Sequence, residues 1–545
     1  MSEASRDRTR LAGLVLCGLF VVMAGRGGYL ALSGAPDESS TVLADVAVKP
    51  AVVRADIVDR NGELLATSVE TYSLWANPSL IWNAEEVAAG LCAKFPELRL
   101  AELQARLSDP SKQFVWVKRG LTPRQRQEVM GLGLEGLGFR TEKRRAYPLG
   151  SLAGHLLGQM DLDGKGIAGL ELSFNDKLVA GGEPLRLTLD IETQTALEAE
   201  LAAAARDFDM EGAAAILMDT RTGEVLGMAS WPAFDPNRAA DIPAGDPSRV
   251  NRAIASVYEL GSVFKPLTVA AALEEGAVRP DDAFDVSKPV DVGGFEVNDT
   301  HKFARTANLT EIMVESSNIG TVHVARELGV SRQAAFLDAA GLMRRAPIEL
   351  PGSAEPLVPR KLDEVSAATI SYGHGISVSP LAFLTAFAAL GNGGEMAAPT
   401  LVQDPRRKVE PVRLVSAITA EIVTDMMRQS VIRGSGQPAD IAGYRVAGKT
   451  GTGEKAIKGG YDKNSNISSF AAVFPADGPQ YALIVTLDNP KAREGRGATA
   501  SASAAPVAGR IVERVAPILG VAPRLEDVRP AVPGLTERTP ERSSL

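Results

Sequence analysis

Three short strings of residues stand in a fixed order in this chain: Ser262-Val263-Phe264-Lys265, then Ser316-Ser317-Asn318, then Lys449-Thr450-Gly451-Thr452. Each string alone is weak evidence, since Ser173-Phe174-Asn175 also fits the second pattern and Arg221-Thr222-Gly223 nearly fits the third. Their order and spacing are more specific, because only one choice of strings has a plausible local context throughout. The set predicts an enzyme that works through an acylated serine.

The first string lies at the start of a predicted helix. Ser262 follows Glu259-Leu260-Gly261, and the helix continues past Pro266 until Gly276 ends it. Residues three apart share a helical face, so we expect the Lys265 amine to reach the Ser262 hydroxyl. The Ser262 N–H has no intrahelical partner, so it is free to donate to an oxyanion. A lysine can accept the serine proton only when burial or another cation lowers its pKa.

The second string is expected in a loop between two helices, after the apolar stretch Leu309 to Val314. The Ser316 hydroxyl is suited to relaying protons between lysines and a leaving amine. The Asn318 amide is suited to orienting a peptide bond of the substrate.

The third string continues a predicted strand in which Gly448 and Gly451 flank a Lys-Thr pair. Such glycines are expected to let a substrate backbone come close, so that the strand edge pairs with an extended peptide. Lys449 is the expected second cation for the lysine of the first string. Its charge and the hydroxyls of Thr450 and Thr452 are suited to binding a terminal carboxylate.

The composition limits the possible classes of protein. A chain of 545 residues is too long for a single core, and 45% hydrophobic with 23% charged residues is an ordinary globular composition. The net charge of -9 argues against nucleic acid as the main partner. The two cysteines cannot form a disulfide framework. The histidines lack ligand spacing, so we expect no metal or cofactor and regard them as structural or surface residues: His155, His301, His323 and His374.

The amino terminus predicts a membrane anchor. Leu11 to Leu32 form an almost unbroken apolar run, which at about 1.5 Å per residue reaches roughly 30 Å. The arginines of residues 1–10 place that tail in the cytoplasm and the rest of the chain outside. Arg26 interrupts the run near its outer end, where it can snorkel or meet a polar group on a partner helix. A cleaved signal peptide is the alternative; the apolar residues 29–32 favour an uncleaved helix.

The rest of the chain divides by composition. We expect a linker at 33–50, a mixed region at 51–190, a larger unit at 191–520 and a disordered tail at 521–545. The mixed region contains two predicted helices, Asn83 to Phe95 and Thr122 to Met130, and ends in a predicted strand, Leu185 to Leu189. Predicted hairpins lie at both ends of the larger unit, at 214–229 and 468–487, with helices between. The fold class is therefore α+β, and the first and last strands can share one sheet.

On these residues the chain resembles the class B penicillin-binding proteins, the monofunctional D,D-transpeptidases that crosslink peptidoglycan, and most closely the septal, cell-division type. The resemblance covers nearly all of the chain from the anchor to about Gly520. Two departures, Ala55 for a usual Gly and Leu260 for a frequent Pro, touch no reacting group. Besides the three strings, the matching stretches are Arg54 to Gly62, Arg144 to Phe174, Asp219 to Ala229 and Ser371 to Gly375.

The resemblance implies a role for each site residue. Ser262 would be the acyl-forming nucleophile, Lys265 its base, and Ser316 with Asn318 the second element. The substrate-binding strand for the carboxylate would consist of Lys449, Thr450, Gly451 and Thr452, with the Thr452 N–H as second oxyanion donor.

The resemblance also implies an architecture and partners. A penicillin-binding transpeptidase domain at 191–520, an antiparallel sheet flanked by helices, would stand on a non-catalytic, dimerisation-type mixed α/β pedestal at 51–190. The implied partners are peptidoglycan stem peptides, β-lactams, a membrane-embedded glycan polymerase and other division proteins. The implied location is the inner membrane, single-pass, with the catalytic domain in the periplasm at the division site.

Three rival functions remain open. A class A β-lactamase needs no anchor or pedestal and uses a further Glu on water, for which the sequence offers no candidate. An elongation-type class B transpeptidase is the second rival, and the choice of the septal type over it rests on resemblance alone. A membrane-anchored division scaffold that merely retains the fold has no reason to keep the whole set of polar site residues.

Overall fold

The computed structural model describes residues 14, 16–26, 54–161, 163–300, 305–457, 460–491 and 497–527. The chain divides into two units, Met1–Val52 and Val53–Leu545. In the first unit, residues 16–26 are helical and carry exposed apolar side chains. Among the described residues no helix is both long and apolar enough to cross a membrane, and the remainder of the predicted span lies outside them. The predicted cytoplasmic tail and linker lie outside the described residues as well.

The second unit contains both helices and strands. Its strands are β1 (Ile57–Val58), β2 (Leu64–Ala76), β3 (Val115–Leu121), β4 (Leu137–Ala146), β5 (Leu185–Arg186), β6 (Gly212–Asp219), β7 (Val225–Trp231), β8 (Ala283–Asp285), β9 (Val290–Val292), β10 (Phe295–Val297), β11 (Thr306–Asn308), β12 (Glu395–Met396), β13 (Val412–Arg413), β14 (Ala447–Ile457), β15 (Gly460–Phe474) and β16 (Tyr481–Asp488). Its α-helices are α1 (Ala84–Lys94), α2 (Leu100–Leu107), α3 (Pro123–Met130), α4 (Gly154–Leu157), α5 (Gly169–Ser173), α6 (Asn175–Ala180), α7 (Ile191–Asp207), α8 (Arg252–Ala255), α9 (Lys265–Glu274), α10 (Leu309–Glu315), α11 (Asn318–Leu328), α12 (Val330–Ala339), α13 (Glu364–Ser371), α14 (Pro380–Ala388), α15 (Ala417–Arg433) and α16 (Ala504–Ile518). Short 3-10 helices occupy Pro78–Leu80, Pro236–Asp241, Pro247–Arg249, Gly261–Phe264, Ala389–Gly391, Gln437–Ala439 and Leu525–Asp527.

The region before α7 is built on a five-stranded sheet. The strand order in this sheet is β3-β2-β1-β5, and β4 also pairs with β2. Both predicted helices of this region are confirmed: α1 begins after the cap Asn83, and α3 begins at a capping box of Thr122 and Gln125. The predicted strand Leu185 to Leu189 is too long, because the regular strand ends at Arg186. Leu187 N still donates to Val58 O at 2.9 Å, but Leu187 also forms an isolated bridge with Val402, and Thr188 N donates to Leu401 O.

The larger unit is built on an antiparallel sheet in the order β14-β15-β16-β6-β7. The two predicted hairpins are confirmed and meet where β16 pairs with β6, so the first and last strands share one sheet. Alternate residues of β6 enter two different cores, Ile216 on the side of α9 and α14 and Leu217 on the side of α7 and α16. Both faces of the sheet are therefore covered by helices, and its β14 edge is left for the site.

Two predicted boundaries are wrong. β15 begins at Gly460 rather than Ser468, because the β14–β15 hairpin extends past the end of β16, after a bulge between Glu454 and Lys455. The predicted disordered tail begins too early, because Val521 is buried and Asp527 accepts from Arg445 Nε at 2.6 Å. Residues 528–545 lie outside the described residues.

Candidate active site

The segment that bears Ser262 is a short 3-10 turn, Gly261–Phe264, that leads directly into α9. The Val263 and Phe264 side chains are fully buried, and the Phe264 ring packs on Phe383 with the centroids 5.0 Å apart. Ser262, which directly precedes them, is only half-buried. Packing of its neighbours thus fixes the turn while the Ser262 hydroxyl stays accessible. At the start of a helix its N–H has no partner within the helix, as the sequence predicted.

Backbone contacts hold this turn from one side. Gly261 N donates to Gly373 O at 3.2 Å, and Tyr258 exchanges two backbone hydrogen bonds with Val378. Gly261 has φ +64° and Gly373 has φ +83°, values that favour glycine. A Cβ on Gly373 would lie 2.0 Å from Gly261 O, so this close approach requires glycine.

Strand β14 holds the same turn from the other side. A Cβ on Gly451 would lie 2.2 Å from Leu260 O, and one on Gly453 would lie 2.3 Å from Glu259 O. The space beside Gly451 is therefore filled by the chain itself, and the expectation that the glycines of the third string let a substrate backbone come close stays a prediction. That glycine admits the chain's own nucleophile-bearing segment, because only a residue without a side chain lets the two backbones come this close.

Lys265 is completely buried, and its amine has three acceptors. Nζ donates to Ser316 O at 2.5 Å, to Ser316 Oγ at 3.1 Å and to Asn318 Oδ1 at 2.8 Å. The described part of the chain shows no hydrogen bond between Lys265 Nζ and the Ser262 hydroxyl, the contact that the sequence predicted. An ammonium has three donors, and these acceptors occupy all of them. The first and second strings are thus joined through the amine of Lys265.

Lys449 reaches the same hydroxyl from β14. It is also completely buried, and its Nζ donates to Ser316 Oγ at 2.9 Å and to Thr450 O at 3.2 Å. Ser316 itself adopts a left-handed conformation with φ 58° and ψ 40° between α10 and α11, in the expected loop. The residue is held in this unfavourable region with its Oγ between two lysine amines.

Burial depresses the affinity of both amines for protons. Burial lowers the pKa of Lys265 well below its ordinary value, and the nearby charge of Lys449 lowers it further, whereas Asp299 opposes the shift. Burial lowers the pKa of Lys449 to about 7. Since like charges in a dry site oppose each other, the pair carries less than its full double positive charge near neutral pH. Lys449 is thus the second cation that the sequence predicted.

The hydroxyls of the third string have protein partners. Thr450 Oγ1 and Ser435 Oγ lie 2.5 Å apart, and Thr452 Oγ1 accepts from Ala500 N at 3.0 Å. Because Thr452 accepts this bond, its own proton remains free to donate to a ligand. Thr452 is exposed at the edge of the sheet, where an extended peptide could pair.

Two polar residues of the site escaped sequence reasoning. Asp299 accepts from Ser317 Oγ at 2.6 Å and from Asn318 N at 2.5 Å. Ser435 meets Thr450. The glycines on both sides of Ser435 were a weak signal of a tight approach, whereas Asp299 carries no local signal, since its contacts exist only after the chain has folded.

Comparison with known families assigns both halves of the chain. Residues 213–513 match the penicillin binding protein transpeptidase domain, and residues 49–181 match the penicillin-binding protein dimerisation domain. The first match includes all three strings of the site.

Individual relatives extend over most of the chain. It is 42% identical to the probable peptidoglycan D,D-transpeptidase FtsI of Caulobacter vibrioides, over 87% of this chain and 82% of that protein. It is 31% identical to the peptidoglycan D,D-transpeptidase FtsI of Escherichia coli K12, over 86% of this chain and 84% of that protein. The crystal structure of penicillin binding protein 3 from Mycobacterium tuberculosis complexed with aztreonam is similar with a TM-score of 0.67 and 26% identity, covering 87% of this chain and 97% of that one.

Proposed function

The chain belongs to the penicillin-binding proteins that carry a transpeptidase domain, and from that premise we propose that it is a septal peptidoglycan D,D-transpeptidase. Relatives of that name cover most of its length. One observation of the site carries the mechanism: two fully buried lysines meet on Ser316 Oγ beside the turn that bears Ser262. A buried lysine that has lost its proton is the base that a serine nucleophile needs.

In the proposed acylation step, Ser262 Oγ attacks the carbonyl carbon of the terminal D-Ala-D-Ala bond of a stem peptide. Neutral Lys265 takes the hydroxyl proton, and the N–H groups of Ser262 and Thr452 stabilise the oxyanion. The C–N bond then breaks, and the leaving amine of the terminal D-Ala receives a proton through Ser316 Oγ. An ester on Ser262 remains, and Lys265 ends the step without the extra proton.

In the second step the amine of an acceptor stem attacks that ester. Its proton passes to Lys265 directly or through Ser316, the C–O bond to Ser262 breaks, and Ser262 Oγ recovers a proton. A new peptide bond crosslinks the two stems. The same base serves both steps, which a proton-poor lysine pair allows and an ordinary surface lysine does not.

The third string would bind the donor stem. The stem lies along β14 as an added strand, since β14 is at the edge of its sheet. Its terminal carboxylate receives hydrogen bonds from Thr450 and Thr452 and the charge of Lys449. Because Gly451 has no side chain, its backbone does not obstruct the donor stem. The Asn318 amide orients a peptide bond of the stem.

The proposed setting is the inner membrane at the division site. The arginines of the first ten residues and the exposed apolar helix at 16–26 support a single anchor with the catalytic unit in the periplasm. Resemblance to septal relatives supports a membrane-embedded glycan polymerase and other division proteins as partners. Fluorescent penicillin on intact cells tests the location: signal along the lateral wall instead of the septum would favour the elongation-type alternative.

Intact-mass measurement after mixing with penicillin tests the activity. We expect a long-lived adduct of one penicillin, because among the described residues no Glu hydrogen-bonds to Ser262, Lys265 or Ser316, where it could activate water against the ester. The adduct should be absent in Ser262→Ala and present in Ser108→Ala, an exposed serine of the pedestal. Rapid turnover of penicillin to its hydrolysed product would contradict the transpeptidase proposal and favour a β-lactamase. Absence of any adduct from the folded protein would favour a scaffold.

A further inference from the structure

The loop that carries Ser316 is clamped from outside by two consecutive residues, Asn298 and Asp299. They follow β10, whose hairpin with β9 lies apart from the main sheet. Asn298 O accepts from Asn318 Nδ2 at 3.3 Å, so it fixes which way the Asn318 amide turns. The opposite atom, Asn318 Oδ1, is thereby presented to Lys265 Nζ at 2.8 Å.

The Asp299 carboxylate engages the start of α11 with both oxygens. Oδ2 accepts from Ser317 Oγ at 2.6 Å, and Oδ1 accepts from Asn318 N at 2.5 Å and from Ile319 N at 3.1 Å. These N–H groups have no partner within the helix, and the helix N-terminus favours a negative charge. Ser317 is buried and in turn caps the helix, with Gly320 N donating to its Oγ at 2.9 Å.

We propose that Asp299 is a positioning residue of the transpeptidase: it holds Ser316 and Asn318 against Lys265 and supplies a negative charge near the Lys265 amine. The inference rests on the roles proposed above for Ser262 and Lys265. Ser316 is the residue most in need of such support, because its left-handed backbone is unfavourable for any residue with a Cβ. Without the clamp the Ser316 hydroxyl would lose its fixed place between the two amines.

Charge is the second part of the role. Within the described residues, the charged and titratable groups that act on Lys265 are Lys449 from β14, Asp299, and His374 from the segment after α13. Lys449 lowers the pKa of Lys265 and Asp299 raises it. Asp299 thus limits how far the lysine loses its basicity, which matters because a base must hold the serine proton once it has taken it.

The test is the rate of acylation of the full-length protein by fluorescent penicillin, measured against pH. Asp299→Asn keeps one carbonyl acceptor and removes the charge, so the acid limb of the profile should move to lower pH, by about one unit. Asp299→Ala should move the limb in the same direction and also lower the maximal rate about tenfold or more, because the loop is released.

Asp285→Asn is the matched control. Asp285 also accepts from a serine hydroxyl and a backbone N–H, those of Ser287, but makes no contact with the lysine pair. We expect its limb and its maximal rate to equal those of the wild type. The inference would be overturned if the acid limb of the pH profile of Asp299→Asn coincided with that of the wild type. A fall in the maximal rate alone would not rescue it, because a lower rate without a shifted limb is a purely structural effect.

Lys265→Met separates this failure from failure of the proposed function. If Lys265→Met is inactive and the acid limb of Asp299→Asn does not move, only the proposal about Asp299 is refuted and the proposed function stands. If Lys265→Met is acylated as fast as the wild type, the proposed base is wrong and the inference falls with it.

Discussion

Two clusters of buried charge in this chain are built in opposite ways. In the region before α7, the Glu171 carboxylate is fully buried and accepts from Arg54 Nε at 2.5 Å and from Arg145 Nε at 2.6 Å. Arg54 also donates to Asn175 Oδ1 at 3.0 Å, and Arg145 to Ala55 O at 2.8 Å. The carboxylate offsets one of the two positive charges, and hydrogen bonds satisfy most of the donors, although Arg145 Nη2 is buried without a partner. The cluster joins segments that are distant in sequence.

The active-site cluster lacks that compensation. Lys265 and Lys449 are equally buried, yet among the described residues neither has a carboxylate within ion-pair distance. Burying two like charges is costly, and the amines respond by giving up protons. The comparison teaches that burial of a charged side chain does not by itself mark a catalytic group. What distinguishes the lysines is that their surroundings oppose the charged form.

The largest expected effect is on the uncompensated cluster. Lys265→Met should lower the rate of acylation by penicillin by about 10³-fold, as expected for loss of a general base. Its free energy of unfolding should fall by no more than about 1–3 kcal/mol, since Ser316 and Asn318 lose a donor while the cost of burying the amine is removed. Lys112→Met, an exposed lysine, is the control. Acylation of Lys265→Met at more than a tenth of the wild-type rate would put the base elsewhere.

Breaking the compensated cluster should have the reverse pattern. Glu171→Gln leaves two buried guanidinium groups without their carboxylate, which should lower the free energy of unfolding by about 3–5 kcal/mol. The acylation rate of the molecules that remain folded should be unchanged. Glu128→Gln, in an exposed helical pair with Arg124, should cost no more than about 1 kcal/mol. Urea unfolding measures the free energy of unfolding of both variants. Equally small decreases in Glu171→Gln and Glu128→Gln would mean that the buried cluster does not stabilise the fold.

A smaller effect should appear in the pH dependence of stability. The pKa of Lys449 is lowered to about 7 in the folded state, so between pH 7 and 10 the unfolded chain binds more protons than the folded one. The free energy of unfolding should therefore rise with pH in this window, on the order of a few kcal/mol for this residue. Lys449→Met should lose that rise. Identical pH profiles for the two proteins would show that Lys449 titrates normally in the folded state.

The smallest effect concerns the rim of the site. Thr452→Val should keep the fold and lower acylation about tenfold, because the lost hydroxyl is the proposed ligand for the substrate carboxylate. It also leaves Ala500 N without its acceptor, so Thr452→Ser, which keeps the hydroxyl, is the control and should acylate normally. An unchanged rate in Thr452→Val would remove Thr452 from the site.

Sequence patterns predicted the parts of the site that depend on local geometry. The turn at Ser262, the loop at Ser316 and the strand at Lys449 each follow from residue types within a few positions, and the structure has all three. The need for a lowered pKa follows from chemistry alone, because a lysine with an ordinary pKa cannot be the base, and burial or a second cation can supply it. That the amines meet on Ser316 Oγ depends on packing between distant elements.

Long-range contacts explain what the sequence could not predict. The space beside Gly451 is as compatible with a ligand as with the chain itself, and only the fold places Leu260 O there. Asp299 contacts Ser317 across 18 positions, without any periodic pattern between them. Asp527 appeared to lie in a polar tail, but it pairs with Arg445.

The acylation rate of the wild type against pH tests most directly whether an uncompensated lysine pair activates Ser262. We expect the rate to rise on the acid side as Lys265 loses its proton, to reach its maximum well below the ordinary pKa of lysine, and to fall as Lys449, whose pKa is lowered to about 7, loses the charge proposed to bind the carboxylate. The apparent pKa values would belong to the pair. A rate that continues to rise until about pH 10, the ordinary pKa of lysine, would contradict the account.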